Sequence, residues 1–200
     1  MKIAGLQKVS LIDYPGKIAA VVFTQGCNLR CGYCHNQELV YPEFFNPPYA
    51  LTDIFDFLKL RRGRLEGVVV TGGEPTLQED LADFLKEIKA MEYSVKLDTN
   101  GTNPSAVSGL IRFKLVDYIA MDIKAPFSKY AQVCGASVDT KNIAESITLL
   151  ENSGVDHHFR TTFDTNNLLE NDIESIYGML KYPQKLILQE MVAAPHALPN

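Results

Sequence analysis

Short apolar runs alternate with amphipathic stretches along most of the chain. The run at residues 18–24 is almost continuously apolar and rich in β-branched residues, as expected of a strand that is buried on both faces. Later stretches repeat apolar residues about every 3.6 positions, which is typical of a helix with one buried face, as at Leu81, Leu85 and Ile88. The pattern predicts strands at residues 18–24, 67–71, 93–99, 118–123, 157–163 and 185–191.

The alternation of these strands with helices predicts an α/β fold. Parallel strands need long crossovers, which are right-handed and cover the sheet. Six parallel strands are too few for a closed barrel of eight. We therefore expect an open, partial (β/α)6 barrel, a parallel sheet with helices on its outer face, and a flat doubly wound sheet is the alternative. The chain is long enough for one domain, at residues 1–200.

The beginning of the chain departs from the parallel pattern. In the segment 13–16, Asp-Tyr-Pro-Gly, proline and glycine stand in the order that a type II turn prefers. Residues 6–12 are therefore expected to fold back on the first core strand. This predicts an antiparallel N-terminal hairpin at about residues 6–24.

Polar segments, three of which contain glycine, follow several of the predicted strands. Open parallel sheets bind ligands at the C-terminal ends of their strands, so these segments predict a binding site at one rim. The paired glycines 72–73 allow a ligand to approach the backbone, or form a tight turn. The segments are residues 24–27, 71–75, 98–101 and 122–124.

Composition narrows the classes of function. Nineteen basic and 24 acidic residues give a net charge of −5, which disfavours non-specific binding to nucleic acid. No apolar stretch reaches the roughly 18 residues that a membrane span needs, and the first residues lack the apolar block of a signal peptide. We therefore expect a cytoplasmic protein without a nucleic-acid or membrane partner.

Three of the four cysteines lie close together. Cys27, Cys31 and Cys34 stand on the predicted loop 25–37, directly after a buried strand. Thiolates at this spacing can bind one iron–sulfur cluster. Because a [4Fe-4S] cluster normally has four ligands, three thiolates leave one iron open to a substrate or cofactor. This indicates a chemical role for the loop.

Other metal sites fit parts of the same segment. Residues 31–35 also match the attachment pattern of c-type haem, although haem c requires export and leaves Cys27 unused. His35 could complete a zinc site, but it directly follows Cys34, which makes a shared tetrahedron difficult. Cys134 could be a fourth ligand, or a small buried side chain, since no other metal-ligating residue is near it in the sequence.

Charged residues stand at the ends of two later strands and within a third. Asp98 and Asp122 follow consecutive strands, and two neighbouring carboxylates need a cation between them. Lys124 could supply it, as could a bound metal ion, and a surface salt bridge is the third interpretation. Arg160 could clamp a carboxylate if its face of strand 157–163 points inward. The pattern leaves this register open.

These motifs together resemble those of the radical S-adenosylmethionine (SAM) superfamily. An aromatic residue, Tyr33, stands just before the last cysteine of the loop, and the segment 72–75, Gly-Gly-Glu-Pro, is similar to the second motif of that superfamily. Segments 33–36, 98–101 and 121–124 are similar to those of glycyl radical enzyme activases. The segment 11–17 resembles the branch that activates anaerobic ribonucleoside-triphosphate reductase.

The resemblance implies two cofactors. A [4Fe-4S] cluster would be held by Cys27, Cys31 and Cys34, and its open iron would be chelated by SAM. A cation would lie among Asp98, Thr99 and Asp122. Together with Arg160, the candidate cofactor-binding residues are Tyr33, His35, Gly73, Glu74, Asp98, Asn100, Asp122, Lys124 and Gln189.

Individual roles also follow from the resemblance. The backbone at Gly73 and Glu74 would meet the methionyl amino group of SAM, and residues 33–35 would pass the adenine. Asp122 and Lys124 would contact the ribose or the carboxylate. Longer activases carry a histidine after the last strand, whereas here Gln189 ends that strand and His196 follows it. Which of the two reaches the cofactor stays open.

The implied activity is that of an activating enzyme. One electron from the reduced cluster would cleave SAM to methionine and a 5′-deoxyadenosyl radical, which takes hydrogen from a glycine of a partner enzyme, expected to be anaerobic ribonucleotide reductase. The chain lacks a ferredoxin-like insert, so an external donor such as flavodoxin or ferredoxin is expected. Two alternatives are radical SAM chemistry on a small molecule, and an iron–sulfur electron carrier that is not an enzyme.

Overall fold

One seven-stranded sheet organises the fold. The computed structural model describes residues 1–191. The strands follow one another across the sheet in chain order. They are β1 (Ile3–Ser10), β2 (Ala19–Thr24), β3 (Gly67–Gly72), β4 (Ser94–Thr99), β5 (Tyr118–Asp122), β6 (Asp156–Phe163) and β7 (Leu186–Glu190).

The sheet is parallel except at its first strand. β1 is antiparallel to β2, and every later pair of neighbours is parallel. Within residues 1–191, β1 and β7 form the two edges and do not pair with each other, so the sheet is open. The predicted α/β class with an open, mostly parallel sheet is confirmed.

The helices cover only one face of this sheet. Alternate strand residues such as Val68, Val95 and Ile119 are buried in one cluster with the apolar stripes of the helices. The opposite, inner face has its own small cluster, Tyr14, Ala19, Val21 and Val69, which includes no helical residue. The helices are α1 (Gln37–Val40), α2 (Leu51–Arg61), α3 (Leu81–Ala90), α4 (Pro104–Arg112), α5 (Tyr130–Cys134), α6 (Thr140–Ser153) and α7 (Glu170–Tyr177).

The ends of α6 illustrate how local sequence sets an element. The Asp139 side chain accepts a hydrogen bond from the Lys141 backbone N–H at 3.0 Å, which satisfies a donor at the beginning of the helix. Gly154 adopts a left-handed conformation directly after the last helical residue. Aspartate just before a helix and glycine just after it are the usual sequence signals of helix ends.

The N-terminal hairpin closes one end of the inner space. Its strands pair from Ile3 opposite Thr24 to Ser10 opposite Ala19, so pairing begins a few residues earlier than expected. Gly16 has a φ of 73°, as the third residue of a type II turn requires. Near the same turn, the ring of Tyr14 lies 6.0 Å from that of Tyr118, at the N-terminal ends of the strands.

Two further points were beyond the sequence pattern. The helices α1 and α5 have four and five residues, which is too short to show an apolar period. The register of β6 is now defined, because Arg160 pairs with Asp122 and faces the inner space, whereas Phe159 is buried under the helices.

None of the helices within residues 1–191 is long and apolar enough to span a membrane.

Candidate cofactor site

A cavity of about 400 Å³ opens at the C-terminal ends of the strands, inside the curve of the sheet. This is the rim at which the polar segments of the sequence predicted a binding site. The structure brings all the candidate residues together in its wall: Cys27, Tyr33, Cys31, Cys34, His35, Gly73, Glu74, Asp98, Asn100, Asp122, Lys124, Arg160 and Gln189.

The cysteine loop is held in place by hydrogen bonds within the loop and to α5. The Cys34 N–H donates to the Cys31 carbonyl at 3.0 Å, and the Arg30 guanidinium donates to the Cys27 carbonyl at 2.7 Å. The Arg30 N–H donates to the carbonyl of Cys134, on α5, at 2.7 Å. Within the described part of the chain, no three His, Cys, Asp or Glu side chains are arranged to hold a single metal ion.

The three thiols differ in their acidity. Burial raises the pKa of Cys27 to about 11 and also raises that of Cys34. A hydrogen bond from the Cys134 thiol lowers the pKa of Cys31 to about 7. Since metals bind thiolates, loading this loop must release protons. Three thiols on one wall of one cavity fit the donor set of an iron–sulfur cluster.

The paired glycines place the end of β3 against the cysteine loop. A Cβ at Gly73 would lie 2.1 Å from the carbonyl oxygen of Gly26, far inside van der Waals contact. The Glu74 N–H donates to the same oxygen at 2.7 Å. The side of Gly73 where a side chain would stand is therefore filled by main chain of the loop, whereas another part of its surface lines the cavity.

The carboxylate of Glu74 joins two rim segments inside the protein. It is fully buried and accepts hydrogen bonds from Thr76 Oγ1 at 2.6 Å, Thr99 Oγ1 at 2.8 Å and the Asn100 N–H at 2.6 Å. Burial raises its pKa above the ordinary value, although these hydrogen bonds oppose the shift. The side chain therefore positions the rim, and since the Glu74 N–H is bonded to Gly26, only the main-chain carbonyl of Glu74 could accept a hydrogen bond from a ligand.

Asn100 extends this connection to the cysteine loop. Its Nδ2 donates to Asn28 Oδ1 at 2.9 Å and lies 3.9 Å from Cys27 Sγ. Its Oδ1 accepts from the Thr102 N–H at 3.0 Å, which fixes the orientation of the amide. Asn100 is a candidate cofactor contact, and its amide also contacts the cysteine loop at Asn28 and Cys27.

The opposite wall carries a column of alternating charges, which we call the charge column: Lys96, Asp98, Arg160, Asp122 and Lys124. The last four line the cavity, and Lys96 extends the column beyond the lining. Lys96 forms an ion pair with Asp98. Arg160 bridges the two aspartates, donating to Asp98 Oδ2 at 3.1 Å and to Asp122 Oδ1 at 2.7 Å. Lys124 Nζ donates to Asp122 Oδ2 at 2.9 Å.

The charge column keeps Asp122 and Lys124 ionised. Burial alone would raise the pKa of Asp122, but Lys124 and Arg160 outweigh it and hold the pKa below the usual range. Burial would lower the pKa of Lys124, but Asp122 raises it well above the usual value. The ammonium group of Lys124 is therefore available at neutral pH to a negatively charged ligand.

Lys96 is the residue of the charge column that the sequence pattern did not single out. It stands between Val95 and Leu97, both buried under the helices, and two positions before Asp98. Residues two apart on a strand share a face, so its place beside Asp98 could have been inferred from that spacing alone. Thr99, the next residue after Asp98, is not part of the charge column, because its hydroxyl donates to Glu74.

Tyr33 and Gln189 complete the wall. The Tyr33 hydroxyl is buried and has no hydrogen-bond partner within residues 1–191, and Lys124 Nζ lies 6.0 Å from the centre of its ring. A buried, unpartnered hydroxyl at a cavity fits a site built for a polar ligand. Gln189 reaches the cavity from β7, whereas His196 lies outside the described residues.

Comparison with known families gives this geometry its context. The profile of the Radical SAM superfamily matches residues 21–180, which include the cysteine loop, the glycine pair and the charge column. The chain belongs to the radical SAM superfamily. The recognised resemblance to this superfamily is thereby confirmed.

Three curated proteins that are similar in sequence to this radical SAM protein carry different names. A protein of Methanocaldococcus jannaschii, provisionally named a glycyl-radical enzyme activating enzyme, is 37% identical over 90% of this chain and 75% of its own length. A pyruvate formate-lyase-activating enzyme of Clostridium pasteurianum is 35% identical over 62% of this chain. A 7-carboxy-7-deazaguanine synthase of Neisseria meningitidis is 34% identical over 64%. The chain spans only 52% and 54% of the latter two proteins.

Solved structures support the fold. The crystal structure of Streptococcus suis SuiB bound to S-adenosylmethionine superposes with a TM-score of 0.70 over 88% of this chain and 41% of SuiB. At 16% identity this likeness concerns the fold, an open sheet with helices outside.

Proposed function

We propose that this radical SAM protein is an activating enzyme that installs a glycyl radical on a partner enzyme. One observation carries the proposal: a single cavity holds the three-cysteine loop opposite the charged wall of β4 to β6. The class of reaction is supported by the relative that matches 90% of the chain and is provisionally named for activating glycyl-radical enzymes.

The cysteines provide the first part of the proposed site. Cys27, Cys31 and Cys34 would hold a [4Fe-4S] cluster, for which thiolates are the usual ligands. When bound, the cluster and SAM together supply a 5′-deoxyadenosyl radical: one electron breaks a C–S bond of SAM, methionine leaves, and the radical takes a hydrogen atom from the partner's glycine. The structure of this chain bears on how these groups are held.

The charged wall provides the second part. Lys124 offers an ammonium group that suits the carboxylate of SAM, and Asp122 offers acceptor oxygens that suit ribose hydroxyls. Arg160 fixes the orientation of Asp122 through its 2.7 Å hydrogen bond. On the other wall, main-chain groups of Gly73 and Glu74 would meet the amino group of SAM, whereas residues 33–35 would lie beside the adenine.

The identity of the partner is a finer proposal. The segment 11–17 resembles the branch that activates anaerobic ribonucleotide reductase, so this reductase is the first candidate. A cavity open at the rim suits a flexible glycine loop of a protein, because small substrates are normally enclosed. The electron would come from an external donor such as flavodoxin or ferredoxin.

Electron paramagnetic resonance tests this proposal. Anaerobically reconstituted protein, a low-potential reductant, SAM and anaerobic ribonucleotide reductase are mixed, and the glycyl radical signal is recorded. We expect the signal on the reductase, and its loss when the radical-bearing glycine of the reductase is replaced by alanine. SAM cleavage without a radical on this or any other glycyl-radical enzyme would favour a small-molecule substrate. Absence of cleavage would favour an electron carrier.

A further inference from the structure

The carboxylates at which a metal cation was expected already have other partners. The resemblance implied a cation among Asp98, Thr99 and Asp122. Thr99 Oγ1 donates its hydrogen bond to Glu74 at 2.8 Å. The two carboxylates belong to the charge column. A metal ion would have to displace hydrogen-bonded cations in order to reach them.

Each oxygen of the two carboxylates has a cationic partner. Asp98 Oδ1 contacts Lys96, and Asp98 Oδ2 accepts from Arg160 at 3.1 Å. Asp122 Oδ1 accepts from Arg160 at 2.7 Å, and Asp122 Oδ2 accepts from Lys124 at 2.9 Å. Three cations therefore face two anions. The surplus charge of the column is positive, which opposes the entry of a further cation.

Lys96 differs from the other two cations of the column. Its side chain is only 3% exposed, and it follows the buried Val95 on a strand whose next residue, Leu97, is also buried. Burying an ammonium group is costly unless a charge partner is present. Asp98 is the carboxylate partner that the structure records for Lys96. The pair keeps the ammonium group of Lys96 buried on the inner face of the sheet, on the side of Asp98 away from Asp122.

We infer that Lys96 is a built-in cation, which takes the place of a metal ion beside Asp98 and so holds Asp98, Arg160 and Asp122 in position for SAM. Lys96 is thus a positioning residue, because it acts through Asp98 and Arg160. The consequence for ligand binding rests on the proposed function, whereas the absence of a metal requirement is a property of the protein alone.

The first experiment uses the cluster-free protein. Thermal unfolding is measured at constant ionic strength in potassium, sodium or choline chloride. We expect the wild-type midpoint to be the same in all three salts. A wild-type midpoint raised specifically by potassium or sodium would overturn the inference. The wild-type protein alone is enough for this test.

The variant Lys96→Met sharpens the test. It removes the charge while keeping an unbranched side chain, so Asp98 loses its internal partner. We expect its midpoint to be lowest in choline and partly restored by potassium or sodium, which would enter the vacated position. Lys86→Met is the control, because Lys86 is 60% exposed and pairs with Asp83 at the surface. Its midpoint should follow the wild type in every salt.

SAM binding provides a second readout, measured by calorimetry on the reconstituted protein. We expect the wild-type dissociation constant to be equal in choline and potassium, and that of Lys96→Met to be at least about tenfold weaker in choline, as for breaking a buried charge pair. Equal affinity of Lys96→Met and wild type in choline would contradict the positioning role. If wild-type protein binds no SAM in any salt, the proposed function fails, while the unfolding experiment still decides whether a metal ion is needed.

Discussion

The two halves of the inner wall contribute to the cavity in different ways. In β2 and β3 the inward side chains Val21 and Val69 are apolar, and the rim contributes main chain at Gly73. In β4 to β6 the inward positions carry the charge column. The first half thus positions the cysteine loop by close backbone packing, and the second half presents charge. Replacing a residue in one half should therefore impair a different step from replacing one in the other.

The largest effect is expected from Gly73→Ala, in the half that packs on the loop. The added methyl group would collide with the Gly26 carbonyl, so the loop must move. Overpacking of this kind costs about 1–3 kcal/mol in an adaptable core, and a backbone obstacle is less adaptable. We expect little iron to bind after anaerobic reconstitution, measured as iron and sulfide per chain.

Gly32→Ala is the matched control for that experiment. Gly32 lies in the same loop, but nothing stands within 4 Å of the position its Cβ would take. Its iron content should remain that of the wild type. Equal iron in Gly73→Ala and wild type would contradict the role assigned to the first half of the wall.

An intermediate effect is expected from Asp122→Asn, in the charged half. The amide leaves Lys124 without its anionic partner and leaves Arg160 paired only with Asp98, so both lose the orientation that the Asp122 carboxylate imposes. We expect normal iron content and SAM binding weakened by at least about tenfold, since a buried charge pair is broken. Calorimetry of SAM binding measures this, with Asp83→Asn, at an exposed ion pair, as the control. A variant that loses its iron would show that the two halves are not separable.

The smallest effect concerns pH and His158, on the inner face of β6. Burial, Arg160 and Lys96 lower the pKa of His158 to about 4, from 6.5 in the unfolded chain. Between these values the unfolded chain binds more protons than the folded protein, so the stabilisation present above pH 6.5 is lost as pH falls towards 4. We expect His158→Gln to show a shallower decline in the free energy of unfolding over this range.

His157 defines the control for the pH experiment. Its pKa is also lowered by burial, so some pH dependence should persist in His158→Gln. Denaturant unfolding at several pH values between 4.5 and 7.5 measures the slopes. Identical slopes in wild type and His158→Gln would mean that His158 is not held neutral by the charged wall.

Some of this arrangement could be read from the sequence. The cysteine spacing and the segment 72–75 lie within single loops, so local order was enough to find them. The positions of Asp98 and Asp122 followed from strand ends meeting at one rim. The prediction for these two aspartates needs only the direction of the strands, which the alternation of strands and helices determines.

Other parts depended on register and close packing. The inward face of Arg160 required the pairing of β6 with β5, and a shift of one residue would have turned it outward. The backbone contact that makes Gly73 necessary joins segments far apart in the chain, and local patterning does not show it. Lys96 was missed although its spacing from Asp98 was visible in the sequence. Lysine side chains are rarely fully buried, so a lysine within an apolar strand is ordinarily expected at the surface.

The central claim is that this cavity cleaves SAM at a cluster held by three cysteines. The most direct measurement is 5′-deoxyadenosine and methionine formed by the reconstituted, reduced protein with SAM alone, without a partner enzyme. We expect slow formation of both by the wild type and by Cys134→Ala, which removes a neighbouring thiol that is not a proposed ligand, and none by Cys31→Ala. A fully loaded wild-type protein that forms neither product, or a Cys31→Ala variant that forms both at the wild-type rate, would contradict the account.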